Sequence, residues 1–102
     1  SYEQKHFDAA AKRGRLRLIA SPDGRDGSVT IHQDALVYAG LFDGRENGSY
    51  DLKNERGYVH VARGRITVNG EILQAGDALK TDGGLIELEQ GENAEVLLFD
   101  LP

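Results

Sequence analysis

The chain has 102 residues, of which 17 are acidic and 12 are basic, so its net charge is −5 with neutral histidines. One domain of this length buries roughly 60–70% of the surface of its unfolded chain, which is enough for a hydrophobic core. The absence of cysteine excludes disulfides and thiolate metal sites, and the acidic balance argues against a nucleic-acid partner. No apolar run approaches the roughly 20 residues of a membrane helix, so we expect no membrane partner and a cytoplasmic location.

The first fourteen residues show the least regular pattern. We predict that residues 1–14 are a leader or linker that packs on the domain that follows, with a helical turn over residues 8–13. The chain starts at Ser1 and contains no methionine. We therefore expect either a removed initiator residue or, as the mixed leader favours, a piece of a longer protein.

From residue 15 onward the apolar residues recur with a period of two, which predicts β-strands separated by turns rich in Gly, Asn and Asp. The predicted strands cover residues 15–20, 28–33, 36–42, 58–63, 65–69, 71–74, 77–81, 85–90 and 94–101. Residues 43–56 are the longest polar stretch and are predicted to be a mobile loop. Nine short strands without a substantial helix predict an all-β sandwich or barrel, such as a jelly roll.

The same alternation predicts which side chains point into the core. The inward set is Leu16, Leu18, Val29, Ile31, Val59, Val61, Ile66, Val68, Ile86, Leu88, Leu97 and Phe99. Because this set is almost entirely aliphatic, the interior offers few polar groups for a ligand. Gly40, inside the third predicted strand, indicates a bulge or the close approach of another backbone.

Catalytic patterns are lacking. The four serines lie at the terminus or in turns, where their hydroxyls close the turn, and neither a nucleophile elbow nor a phosphate-binding glycine pattern occurs. Glu87 and Glu89 share one face of a strand, which is expected to be solvated. We therefore assign no catalytic residue.

Aromatic residues are the candidates for a ligand pocket at the mouth of the barrel. The candidate set is Tyr38, Phe42, Tyr50, Tyr58 and His60. Aromatic rings also dominate cores and interfaces, so the alternative is that these side chains are packing residues.

Two segments carry a resemblance to a known family. The stretch SPDGRDGSVTIHQD at residues 21–34 and the run VHVARG at residues 59–64, followed by VNG at 68–70, resemble the C-terminal half of pirin-like bicupins. These proteins are a bacterial group often labelled quercetin 2,3-dioxygenase, and the likeness covers almost the whole chain. The resemblance implies a single cupin domain, a double-stranded β-helix or jelly-roll barrel, over residues 15–102.

The resemblance also implies where the metal belongs. In that family two cupin barrels share one chain, and Fe or another divalent metal sits with the dioxygenase chemistry in the N-terminal barrel. A metal-binding cupin resembles a pattern of His-x-His, then Glu, then a later His, which leaves positions open for oxygen and substrate. The matching stretch near residues 50–56 contains no histidine, so we expect no cofactor in this chain. Three distant strands could still bring together His6, His32 and His60, which remain the candidate metal ligands.

Three functions remain open. The first is a non-catalytic, metal-free cupin domain that acts as a structural or interaction module, packed against a partner cupin barrel or in a homodimer. The second is part of a metal-dependent flavonol (quercetin) 2,3-dioxygenase whose active site lies in a missing N-terminal cupin, so that this chain alone would not be an enzyme. The third is a small-molecule-binding barrel. The missing His-x-His pattern favours the first function over the second, and the aliphatic interior favours it over the third.

Overall fold

The computed structural model describes residues 8–102, which form one short helix and eight strands. Helix α1 covers Ala9–Lys12. The strands are β1 (Leu16–Ser21), β2 (Val29–Thr30), β3 (Leu36–Phe42), β4 (Gly48–Asp51), β5 (Arg56–Val68), β6 (Glu71–Gln74), β7 (Ala78–Asp82) and β8 (Leu85–Leu101). A short 3-10 turn, Arg25–Gly27, connects β1 to β2. In this part of the chain no helix has the length and apolar character needed to cross a membrane.

The strands form one continuous sheet that folds over itself into two layers, because β5 and β8 are long enough to enter both. The first layer has the order β2-β1-β3-β8-β5-β7 and uses residues 94–101 of β8 and 56–61 of β5. The second layer has the order β4-β8-β5-β6 and uses residues 85–92 of β8 and 65–68 of β5. Two layers packed face to face confirm the all-β class predicted from the sequence.

Strands β5 and β8 pass from one layer to the other at local bends. At the bend of β5, Gly64 has a φ angle of +73°, and the register against β8 shifts on both sides of it. A Cβ atom at this position would lie 2.3 Å from the carbonyl oxygens of Glu92 and Asn93, in the bend of β8. The sequence predicts a separate strand on each side of both bends. That division is wrong, because bulges bend a strand without ending its ladder.

The polar segment at residues 43–56 contains a strand that the sequence does not predict. Strand β4 pairs with residues 85–88 of β8, and Tyr50 is its only buried residue. One apolar side chain is too little to produce a recognisable alternation. The prediction of a loop is therefore wrong for residues 48–51.

The core lies between the two layers and is mostly aliphatic. Its buried apolar side chains are Phe42, Tyr50, Val59, Val61, Ile66, Val68, Leu73, Ile86, Leu88, Ala94, Val96 and Leu98. The alternation predicts Leu97 and Phe99 inward, but Val96 and Leu98 take the inward positions and the predicted pair faces outward. Residues 96–99 are apolar at every position, so alternation alone could not decide which side faces the core.

The described part of the leader lies against the first layer. The Gly14 N–H donates a hydrogen bond of 2.6 Å to the carbonyl of Leu41 on β3, and Lys12 Nζ lies 3.5 Å from a carboxylate oxygen of Glu95 on β8. Helix α1 lies within the helical turn predicted for residues 8–13. Since residues 1–7 lie outside the described part, the extent of the leader remains a prediction.

Candidate functional site

Aliphatic side chains occupy the space between the two layers. Val59, Val61, Ile66, Val68 and Val96 are all 0% exposed. Protein cores pack as densely as organic crystals, so such a cluster excludes water and ligands alike. The region in which a small-molecule-binding barrel would hold its ligand is here part of the core.

One carboxylate is buried at the end of this core. Asp100 is 0% exposed and follows Leu98 on the inward side of β8. Its oxygens accept hydrogen bonds from Tyr50 Oη at 2.5 Å and from the backbone N–H groups of Lys53 and Asn54, both at 2.9 Å. These three donors compensate the cost of burying the carboxylate. Asp100 therefore anchors the segment that follows β4 to the end of β8.

Sequence reasoning did not single out Asp100. The signal that could have identified it is the other phase of the alternation in β8. In that phase Ala94, Val96 and Leu98 point inward, and Asp100 follows on the same side. The partner segment was also hidden, because β4 lies in a stretch read as a loop.

Tyr50 belongs to the same anchor. Its ring centroid lies 4.6 Å from that of Tyr38, and Lys53 Nζ lies 4.8 Å from the centroid of the Tyr50 ring. Burial, and then the hydrogen bond to Asp100, raise the pKa of Tyr50 far above its ordinary value of 10.0. The hydroxyl therefore stays protonated and donates to Asp100. A group held in one protonation state suits a structural role and not general base catalysis.

The two candidate metal ligands that the structure describes do not belong to a metal-binding cluster of described residues. His32 is exposed in the connection between β2 and β3, and His60 alternates on β5 with the buried Val59 and Val61. His6 lies outside the described residues. Within residues 8–102, no group of three or more His, Cys, Asp or Glu side chains could hold a metal ion. The described residues therefore do not fit a cupin metal centre, which needs several N and O donors aimed at one point.

The five candidate pocket residues divide between the core and the outer side of the first layer. Phe42 and Tyr50 are buried in the core, and Tyr38 packs against it. Tyr58 and His60 share the opposite, outer side of β5. Because they lie on opposite sides of the first layer, these five side chains do not surround one common cavity.

An open cavity of about 410 Å³ lies at the bends of β5 and β8, with Arg13, Asp43 and Arg63 on its wall. Arg13 Nε lies 2.9 Å from the Glu46 carboxylate, and Arg63 Nε lies 2.9 Å from the Glu95 carboxylate. Because both guanidinium groups are already paired, the wall offers little uncompensated charge to an ionic ligand. We assign no ligand to this cavity.

The outer side of the first layer carries an apolar patch on β3, β5 and β8. Phe99 stands opposite Tyr58 on one neighbouring strand and Val37 on the other, while Leu97 stands opposite His60. Directly opposed residues share one side of a sheet. The rings of Tyr58 and Phe99 meet edge to face at 5.8 Å. We call the partly exposed residues Val37, Tyr58, Leu97 and Phe99 the packing face.

The outer side of the second layer has a different character. Glu87 and Glu89 of β8 and Asp51 of β4 are exposed there, together with two apolar residues, Leu85 at 48% and Ile72 at 64% exposure. Burial of unpaired carboxylates against another protein is costly. Of the two outer sides, the packing face is thus the better suited to contact another protein.

Comparison with known proteins identifies the architecture. An RmlC-like cupin protein from Desulfovibrio desulfuricans aligns with a TM-score of 0.55 at 13% identity, covering 95% of this chain and 88% of that chain. The chain has the cupin fold, as the sequence predicts.

Closer relatives define the family. The family described as quercetinase C-terminal cupin domain matches residues 18–101. A quercetin 2,3-dioxygenase of Escherichia coli K12 is 37% identical over 103 residues, which cover 99% of this chain and 43% of that protein. The crystal structure of the bacterial pirin YhhW from Escherichia coli in complex with nickel(II) aligns with a TM-score of 0.89 at 35% identity, covering 100% of this chain and 44% of that chain. This chain belongs to the quercetinase C-terminal cupin domain family, which confirms the resemblance.

The chain spans less than half the length of these relatives. The YhhW structure is a complex with nickel(II), whereas residues 8–102 of this chain contain no group of three or more His, Cys, Asp or Glu side chains that could hold a metal ion. The activity and partners of the longer proteins are therefore proposals for this chain.

Proposed function

We propose that this chain is a non-catalytic cupin domain without a metal of its own, which acts as a structural and interaction module by packing against a second cupin barrel. The packing face carries the proposal. Val37, Tyr58, Leu97 and Phe99 are typical core residues by type, yet they lie on the outer side of the first layer. Contiguous apolar surface of this kind marks contact sites between proteins.

The non-catalytic part of the proposal is supported by the chemistry of the interior. Among the described residues the core is aliphatic, and the carboxylate of Asp100 is occupied by three donors. A general acid or base needs a group that can exchange a proton with substrate. Neither a metal-ligand cluster nor a free buried carboxylate supports such chemistry in this part of the chain.

The partner takes one of two forms in this proposal. In a longer parent chain it is the other cupin barrel, for which relatives of more than twice this length leave room. When the domain is alone, it is a second copy of this chain, since an uncovered apolar patch tends to pair with itself. The cytoplasmic location stays a prediction from the sequence.

A second candidate is supported by the relative named quercetin 2,3-dioxygenase in Escherichia coli. Under it, the parent protein is a metal-dependent flavonol dioxygenase whose active site lies in another barrel, and this chain contributes contacts and no chemistry. A small-molecule-binding barrel has less support, because the interior is filled by core side chains.

Sedimentation velocity on the isolated chain tests the packing face. We expect the wild-type chain to associate as its concentration rises and Leu97→Glu to shift the equilibrium toward monomer, because the new carboxylate would have to be buried unpaired. The matched control is Leu85→Glu, which makes the same change on the outer side of the second layer, where Leu85 is already 48% exposed.

Two outcomes contradict the proposal. One is a strictly monomeric wild-type chain at the highest accessible concentration. The other is a loss of association in Leu85→Glu with none in Leu97→Glu.

A further inference from the structure

Two asparagines precede a glycine, and the fold holds them in different ways. Asn47-Gly48 enters β4, and Asn69-Gly70 forms the turn between β5 and β6. Because glycine has no side chain to shield it, its main-chain nitrogen can approach and attack the side-chain carbonyl carbon of a preceding asparagine. We propose that Asn47 is a site of spontaneous deamidation, and that the fold protects Asn69 from the same reaction.

The reaction joins two groups of neighbouring residues. The main-chain nitrogen of Gly48 gives its proton to water and bonds to Cγ of Asn47, and the side-chain amide nitrogen leaves as ammonia. The five-membered succinimide that results adds water at one of its two carbonyl groups. Ring opening yields aspartate or isoaspartate at position 47. Water is the only co-reactant, but the side chain must be free to rotate onto the following nitrogen.

Asn47 has that freedom. It is exposed, it lies in neither a helix nor a strand, and its side chain has no hydrogen bond or ion pair with another described residue. The preceding turn is held separately, because the Glu46 carboxylate accepts from the backbone N–H of Asp43 and from Arg13. These contacts end one residue before Asn47.

Both the side chain and the main chain of Asn69 are held by hydrogen bonds. Its Oδ1 accepts a hydrogen bond of 2.8 Å from the backbone N–H of Glu87, and its own N–H donates to the carbonyl of Glu87 at 3.0 Å. The φ angles of Asn69 and Gly70 are +49° and +82°, the left-handed pair of a tight hairpin turn. Attack by the Gly70 nitrogen must first break the side-chain bond and open the turn, which slows the reaction about tenfold.

The modification would act on β4. A carboxylate at position 47 would lie on the wall of a cavity of about 410 Å³ that it shares with Glu87 and Glu89. Isoaspartate also lengthens the main chain by one carbon just before Gly48, whose pairing with Leu88 begins the strand. Tyr50 of β4 donates a hydrogen bond to Asp100. A β4 strand disturbed by isoaspartate should therefore be attached less firmly to Asp100.

Peptide mapping of the intact wild-type protein tests the proposal. Trypsin separates the two sites, because Arg45 and Lys53 flank Asn47 while Arg65 and Lys80 flank Asn69. Folded protein is incubated in mildly alkaline buffer, and the conversion of each amide to acid is followed by mass spectrometry. A second sample in concentrated urea is the control, because it removes the structure and leaves the local sequence.

In the folded protein we expect deamidation at Asn47 to be at least about tenfold faster than at Asn69, and in urea we expect the two rates to converge. Equal rates in the folded protein, a faster reaction at Asn69, or a rate ratio unchanged by urea would each overturn the proposal.

Discussion

At the residue scale, the buried carboxylate of Asp100 holds together one end of the barrel. The strand that carries it is apolar on both sides, so its buried carboxylate is costly unless every oxygen is engaged. Tyr50 and the backbone of residues 53 and 54 supply the donors. The polar segment after β4 is thereby fixed to the end of β8, and its first residue, Leu52, packs against the core.

Removal of the Tyr50 hydroxyl tests this anchor. Tyr50→Phe keeps the ring beside Tyr38 but removes a donor from a buried carboxylate, and we expect the free energy of unfolding to fall by about 1.5–3 kcal/mol. Tyr58→Phe is the control, because the Tyr58 hydroxyl makes no hydrogen bond with the described residues. Urea denaturation measures both, and equal stabilities of the two variants would show that the hydroxyl of Tyr50 contributes nothing.

The stability of the turn between β3 and β4 depends on pH because of Glu46. The backbone N–H of Asp43, and then Arg13, lower the pKa of Glu46 from its ordinary value of 4.5. Because the folded pKa is the lower one, this stabilisation is present above pH 4.5 and is lost as the pH falls through the folded pKa. The Glu46 side chain is partly exposed, so solvent screens the interaction and the effect on stability is modest.

Denaturation midpoints across the acid range measure this effect. In Glu46→Gln we expect a smaller loss of stability with falling pH than in the wild type. Glu89→Gln is the control, because it removes an exposed carboxylate that has no ion pair with another described residue. This variant should lose as much stability with falling pH as the wild type. If Glu46→Gln loses as much stability with falling pH as the wild type, the pH dependence does not come from Glu46.

At the element scale, the fold depends on two strands that bend without ending. The bend of β5 at Gly64 lies directly on the backbone of Glu92 and Asn93, so the two bends support each other. This contact lets one pair of strands contribute to both layers. Such close approach requires a residue without Cβ.

Alanine substitutions separate the steric contact from the backbone conformation. Gly64→Ala should cost about 2–5 kcal/mol, from the left-handed φ angle together with overpacking against two carbonyl oxygens. Gly44→Ala has a similar φ of +64° but nothing within 4 Å of the added Cβ, so it should cost only about 1–2 kcal/mol. Equal losses of stability in the two variants would show that the bends do not press on each other.

The sequence predicts elements where turn residues bound a short apolar or alternating run on both sides. Strands β3 and β6 have the predicted boundaries, and the turn glycines mark most of the connections. The sequence does not predict β4, which buries one side chain, or the side of β8 that faces the core, because residues 96–99 are apolar on both sides. Because the inward side of β8 is ambiguous, the sequence predicts neither the burial of Asp100 nor the packing face.

At the scale of the whole molecule, the two layers present unlike surfaces. The outer side of the first layer carries Tyr58, Leu97 and Phe99, and the outer side of the second carries Glu87 and Glu89. Between them lies an interior without a metal-ligand group among the described residues. The proposed role of the domain therefore lies on its outer surface and not inside its barrel.

Metal content and oxygen uptake test the central claim most directly. The chain is incubated with nickel(II) or iron(II), freed of unbound metal and analysed for its elements, and oxygen consumption is then followed with quercetin. Our account predicts a metal content well below one ion per chain and no oxygen uptake beyond that of buffer with the same metal. One tightly held metal ion per chain together with quercetin-dependent oxygen uptake would contradict it.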